Sequence, residues 1–185
     1  MKLYFIHGAG CLSNNCSVAN SLDNLFQEDL LRLSYYTDET FETIRDSLIT
    51  QIEDNTIDNK TIFIGESYGG FWAAQMAMYF NAYCYLLNPA IIPYFMMKQF
   101  NGMVLQSNRA PLTMKSILST KAALDPRDHL SKSQMKVMLG RNDTLIDSNV
   151  SNFYFTNYDI DWTNDNHEIS LPSSFQLIVQ RVNEF

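Results

Sequence analysis

IFIGESYGGFWAAQMAMYF, residues 62–80, joins two kinds of apolar pattern at a single serine. The run Thr61–Ile64 is short and β-branched, as in a strand buried on both faces. From Tyr68 to Phe80 the apolar residues continue too long for an ordinary strand and read as a helix buried on nearly every side. Between them, Gly65-Glu66-Ser67-Tyr68-Gly69 must turn a strand into a helix within a few residues. Two readings compete. Ser67 is either a nucleophile lifted above a sheet on a strained turn, or a helix-capping serine after a glycine turn. The strand before it and the helix after it are the context that the first reading requires.

Working outward, the chain alternates strand and helix. Leu3–Ile6 is a compact apolar run ending in HGAG, and a helix is expected from about Ser13 to Phe26. DLLRLSY supplies a second strand. Phe41, Ile44, Leu48 and Ile52 recur at helical spacing, with Thr37 or Asp38 as N-cap. Further strands are expected at Tyr83–Leu87, Lys136–Leu139 and Phe153–Phe155. LPSSFQLIVQRVNEF closes the chain as a helix, with Pro172 in its first turn. The pattern predicts one α/β domain over residues 1–185, a mostly parallel sheet of about six strands with helices on both faces. Residues 89–126 hold four of the five prolines and break the rhythm, so they are read as a small cap insertion. Within it, Tyr94, Phe95, Met96, Met97 and Phe100 could line a pocket; Trp72 could join them or belong to the core.

Composition narrows the function. The chain has 185 residues, 46% apolar and 18% charged, which suits a globular domain. A net charge of −7 argues against nucleic acid, since phosphate binding needs concentrated Lys and Arg. No apolar stretch is long enough to span a bilayer, and MKLYFIHG has too short an apolar core for a secretory signal. Cys11, Cys16 and Cys84 are odd in number and lack zinc-site spacing, so a reducing, cytoplasmic setting is expected.

Six of the seven glycines (Gly8, Gly10, Gly65, Gly69, Gly70 and Gly140) fall at the C-terminal ends of predicted strands. In open α/β sheets that edge is where ligands bind. A serine hydroxyl there needs a base. His7 precedes the serine inside the first glycine turn, which suits a structural role, and His129 in DPRDHL falls on a solvated loop before the fifth strand. His167 in TNDNHEIS follows the last strand and returns to the same sheet edge. In this order the acid belongs between serine and histidine. KVMLGRNDTLID offers Asp143, three residues past Gly140, and Asp147, whose other reading is the N-cap of a helix from Ser148. Asp143 is favoured. The amide of Tyr68 and that of Ala9 in HGAGCLSNN, with Gly10 as the alternative, would donate to an oxyanion.

IGESYGGFWAAQMA and YLLNPAIIPY together resemble the YqiA/YcfP-type small esterases of the α/β-hydrolase superfamily. The resemblance is strong over residues 62–95 and looser at YFIHG, NDTLID and DNHEIS. It implies a reduced α/β-hydrolase fold and a nucleophile elbow followed by a strand ending in Asn88-Pro89-Ala90, with Pro93 beyond. Glu66, Tyr68 and Arg141-Asn142 depart from the family pattern. The residues and the resemblance together predict a serine esterase or thioesterase without cofactor or metal, with Ser67, Asp143 and His167 as its triad. Its partner is a small-molecule acyl ester or thioester, held by Tyr94, Phe95, Met97 and Phe100. An acyltransferase or peptidase could use the same triad, and a binding protein could keep the fold without the chemistry.

Overall fold

The computed structural model describes residues 1–9, 16–53, 57–58, 60–97, 101–102 and 112–185. Six strands form one sheet: β1 (Leu3–Ile6), β2 (Leu30–Leu33), β3 (Ile62–Glu66), β4 (Tyr83–Leu87), β5 (Met135–Gly140) and β6 (Asp159–Thr163). Their order is β2-β1-β3-β4-β5-β6, and every neighbouring pair is parallel. The chain moves outward from β1 to β2, then crosses back to lay β3 on the other side of β1. That reversal is the switch point of a doubly wound sheet, where loops diverge and leave a crevice. The turns after β1 and β3 flank it.

The helices are α1 (Ser17–Phe26), α2 (Phe41–Glu53), α3 (Tyr68–Phe80), α4 (Pro93–Met96), α5 (Met114–Ser119), α6 (Ser148–Tyr154) and α7 (Pro172–Asn183). Alternate residues of each strand face opposite sides. Leu3, Phe5, Ile62 and Ile64 pack with Val18, Ala19 and Leu22 of α1 and Ile178 and Val182 of α7. Tyr4, Ile6, Phe63 and Leu86 pack on the other side with α2 and α3. Ile44, Leu48 and Ile52 of α2 are fully buried, at about 1.5–3 kcal/mol each. The architecture is an α/β-hydrolase sheet with helices on both faces, as expected.

Several expectations need correction. Phe153–Phe155 is not the sixth strand: Phe153 belongs to α6 and is 84% exposed. Asp147 caps that helix through the Asn149 amide (2.9 Å), so SNVSNFY folds locally before the strand begins. The strand is DIDWT, whose inward position holds Asp161, buried at 7% exposure. Arg181 grips Asp161 through Nε and Nη2, and the Tyr85 hydroxyl donates to it at 2.8 Å. That network lets a carboxylate occupy a core position. The α2 helix starts at Phe41, so Thr40 rather than Thr37 or Asp38 flanks it. The Phe41 amide donates to the Ser119 hydroxyl of α5 at 2.8 Å. The expected start of α1 at Ser13 lies outside the described residues. No helix among the described residues is long and apolar enough to cross a membrane.

Candidate active site

Ser67 sits between β3 and α3 at φ 55°, ψ −121°. A non-glycine residue there is strained, at a cost of order 1–3 kcal/mol, and must be held by its surroundings. Its amide donates to the Leu87 carbonyl (2.9 Å), and its carbonyl accepts from Gly70 (3.0 Å) and Ala90 (2.9 Å). The flanking glycines permit the turn. A Cβ on Gly65 would lie 2.2 Å from the Gly69 carbonyl oxygen, and one on Gly69 would lie 2.1 Å from that of Ile6. Although Ser67 occupies the N-cap position of α3, its hydroxyl caps nothing in the helix. It lies 2.8 Å from Nε2 of His167. The capping alternative therefore fails on geometry.

The three residues Ser67, Asp143 and His167 converge. Nδ1 of His167 is 2.8 Å from Oδ2 of Asp143, whose side chain is 1% exposed. The amides of Leu145 (2.8 Å) and Ile146 (3.0 Å) donate to the other carboxylate oxygen. With Asp143 accepting from both amides, the imidazole proton sits on Nδ1, leaving Nε2 to accept from Ser67. Asp147 is turned away as the N-cap of α6. His129 lines a groove of about 360 Å³ beside Gln75, Met76 and Tyr79, on the second half of α3. Gln75 is eight residues beyond Ser67, about 12 Å along a helix.

His7 is wholly buried at the end of β1. Its Nδ1–H donates to the Gly8 carbonyl at 2.7 Å, its ring stacks on Tyr35 at 4.6 Å, and the Tyr35 hydroxyl donates to the His7 carbonyl. These contacts shape the turn carrying Ala9, and a Cβ on Gly8 would lie 3.2 Å from that of Ser67. Gly10 lies outside the described residues. The Tyr68 amide opens α3, where helix N–H groups lack intrahelical partners. The Tyr68 amide thus adjoins the serine in the chain, and the turn at Gly8 packs against it.

Burial pushes the His7 pKa down to about 4, against the pull of its bond to Gly8. Between the ordinary value of 6.5 and about 4, the unfolded chain takes up a proton that the folded chain refuses. His7 therefore removes stability as pH falls through that window, about 3 kcal/mol in full. Glu66 acts oppositely. Burial raises its pKa well above 4.5, so its contribution is complete below that pH and is lost on titration above. A His7→Gln variant should lose less stability than the parent between pH 7 and pH 4.5, as read by urea unfolding. Equal losses would contradict the assignment.

Sequence reasoning missed the polar residues that hold the histidine loop. Asp165, 1% exposed, accepts from the amides of Ser170 and Leu171 (both 2.8 Å) and from the Ser174 hydroxyl. Burial opposes its charge, but these donors hold its pKa below the ordinary value. Glu66 accepts from the Ile169 amide at 3.2 Å. The presence of four acids or amides around His167 in TNDNHEIS was the available signal, but a solvated loop has the same composition.

The three predicted pocket residues that are described, Tyr94, Phe95 and Met97, do not share one cavity. Met97 is buried in the core. Tyr94 lines a cavity of about 160 Å³ with Phe71, Ile91 and Arg127. Phe95 lines a cleft of about 200 Å³ with Met96, Leu145, Ile146 and Val150. Phe100 lies outside the described residues. Trp72 is fully buried among Tyr35, Phe41, Tyr68 and Phe71.

Among solved structures, the chain is similar to Est1E from Butyrivibrio proteoclasticus, at 16% identity and TM-score 0.70, over 99% of this chain and 85% of that one. A methylesterase, MES16, from Arabidopsis aligns at 13% identity and TM-score 0.68 over 100% of both chains. Mouse alpha/beta hydrolase domain-containing protein 10 aligns at 12% identity and TM-score 0.68, over 99% of this chain and 88% of that one. At these identities the likeness establishes the fold alone. A sequence search of curated proteins finds no match. A family model described as Uncharacterised protein family (UPF0227) matches residues 2–183. The chain belongs to this family, the YqiA/YcfP-type group that its sequence resembles.

Proposed function

We propose that the protein is a serine hydrolase that cleaves small carboxylic esters or thioesters through an acyl-enzyme on Ser67. One observation carries the reading: a serine on a strained strand-to-helix turn, 2.8 Å from an imidazole that is itself 2.8 Å from a buried carboxylate. A serine hydroxyl is a weak nucleophile until a base takes its proton.

The steps follow from the donors and acceptors. Ser67 Oγ attacks the substrate carbonyl carbon as its proton passes to Nε2 of His167. Asp143 accepts from Nδ1–H throughout and stabilises the imidazolium without taking the proton. Charge gathers on the former carbonyl oxygen, toward which the Tyr68 and Ala9 amides donate; one such donor is worth about 2.7–4 kcal/mol. The carbon–oxygen or carbon–sulfur bond breaks as His167 returns the proton to the leaving group. Water then repeats the sequence on the acyl-enzyme, releasing the acid and restoring Ser67.

The cleft beside Phe95 begins two residues after Asp143, with Leu145 and Ile146 in its wall. We take this cleft as the acyl site, and at about 200 Å³, below the usual ligand-pocket range, it would suit short acyl groups. Est1E has been observed with ferulic acid bound, so a related fold accommodates a small carboxylic acid. A panel of p-nitrophenyl esters and acyl thioesters of increasing chain length tests the proposal. The expected result is a burst of one p-nitrophenolate per enzyme, then steady turnover fastest at short chains. Folded protein that releases no leaving group from any ester or thioester would overturn it.

A further inference from the structure

We infer that Asn88 is a positioning residue, whose one buried side chain locks the loop carrying Asp143 to the loop carrying His167. The inference rests on the triad reading above. Asn88 follows β4, is 1% exposed and has φ 43°, a left-handed conformation that asparagine tolerates better than most residues. Its backbone amide donates to the Met138 carbonyl of β5 at 2.9 Å. Its Oδ1 accepts from the Gly140 amide at 2.6 Å, three residues before Asp143. Its Nδ2 donates to the carbonyls of Asn166 (2.9 Å) and His167 (2.8 Å). The amide has one workable orientation. Turned over, its oxygen would face two carbonyls and its nitrogen an N–H.

The acid and the base come from different loops, and their bond survives only if those loops keep register. Asn88 bonds the backbone on both sides from a third element, beside a direct tie in which Asn142 donates its backbone amide to the Asp165 carbonyl (3.1 Å) and its Nδ2 to the Asn164 carbonyl (2.7 Å). On the far side of the histidine loop, Glu66 holds the Ile169 amide, and Asp165 holds Ser170 and Leu171. Deleting the Asn88 side chain should therefore loosen the triad without releasing the whole loop. A misplacement of about 1 Å at reacting groups can cost roughly 10²-fold in rate.

Asn88→Gly tests this, because glycine accepts the positive φ and deletes all three side-chain bonds. The expected kcat on a p-nitrophenyl ester falls about 10²-fold, with KM unchanged within about twofold. The second readout needs no substrate: the downfield proton resonance of the His167 Nδ1–H bonded to Asp143 should broaden or vanish. If Asn88→Gly does not fold, Asn88→Asp serves. It keeps an acceptor for Gly140 but sets a carboxylate against the Asn166 and His167 carbonyls. An unchanged resonance in a folded variant, or a loss confined to KM, overturns the inference. A parent that hydrolyses no ester, yet loses the resonance in Asn88→Gly, removes the ester reading and leaves this one standing.

Discussion

Ser67→Ala is expected to lower ester turnover about 10⁶-fold, and His167→Ala to cost about as much. The size follows from the division of labour. Without the hydroxyl no acyl-enzyme can form. Without the imidazole the hydroxyl keeps its proton, and the leaving group receives none. Each residue is useless without the other, so the double variant should be no slower than either single one. Additive losses would mean that the two act independently, against a shared 2.8 Å proton path. The residual rate should stay above that in water, because the proposed oxyanion donors, the Tyr68 and Ala9 amides, are backbone groups that neither substitution removes. Folding should be spared. Alanine keeps the Cβ of Ser67, and the backbone bonds to Leu87, Gly70 and Ala90 hold the turn. Circular dichroism and turnover, measured on the same samples, separate loss of chemistry from loss of structure.

Asp143→Asn is expected to lower kcat about 10⁴-fold, and Asp147→Asn to leave it within a few-fold of the parent. The two residues lie four apart on one loop, so composition alone cannot rank them. Geometry does. Asp143 is 2.8 Å from Nδ1 of His167, with its other oxygen taken by two backbone amides. An asparagine amide at that position can donate to the imidazole nitrogen, which favours the tautomer with its proton on Nε2, unable to accept from Ser67. Asp147 only accepts from the Asn149 amide at the start of α6, and asparagine caps helices about as well. Turnover unaffected by Asp143→Asn but abolished by Asp147→Asn would reverse the assignment.

Most of the architecture was legible because strands covered on both faces read as short continuous apolar runs. Leu3–Ile6 and Tyr83–Leu87 coincide with β1 and β4, and Tyr68–Phe80 with α3. The sixth strand was illegible for the same physical reason in reverse. Its inward Asp161 looks like a solvated residue until Arg181 and Tyr85 close around it, and the apolar FYF nearby forms the end and C-cap of α6. The convergence of Ser67, Asp143 and His167 was legible from their order and from their places after strand ends. The supports were not: Asn88 and Glu66 bond segments far apart in the chain, and the local donors that Asp165 accepts from are drawn around it only when the loop folds. The pocket residues were misjudged as a group because α4 is a single helical turn. Neighbouring side chains point about 100° apart, which turns the exposed Phe95 away from Tyr94, while Met97, just past the helix on the Tyr94 side, is buried in the core.

Everything turns on whether the Ser67 hydroxyl is activated. Incubation with a fluorophosphonate, followed by peptide mass spectrometry, reads this directly and requires no knowledge of the substrate. Activation predicts one phosphonyl adduct per chain, on the peptide containing Ser67, strongly slowed by His167→Ala. Folded protein that takes up no label, or that is labelled equally well as Ser67→Ala, would contradict it.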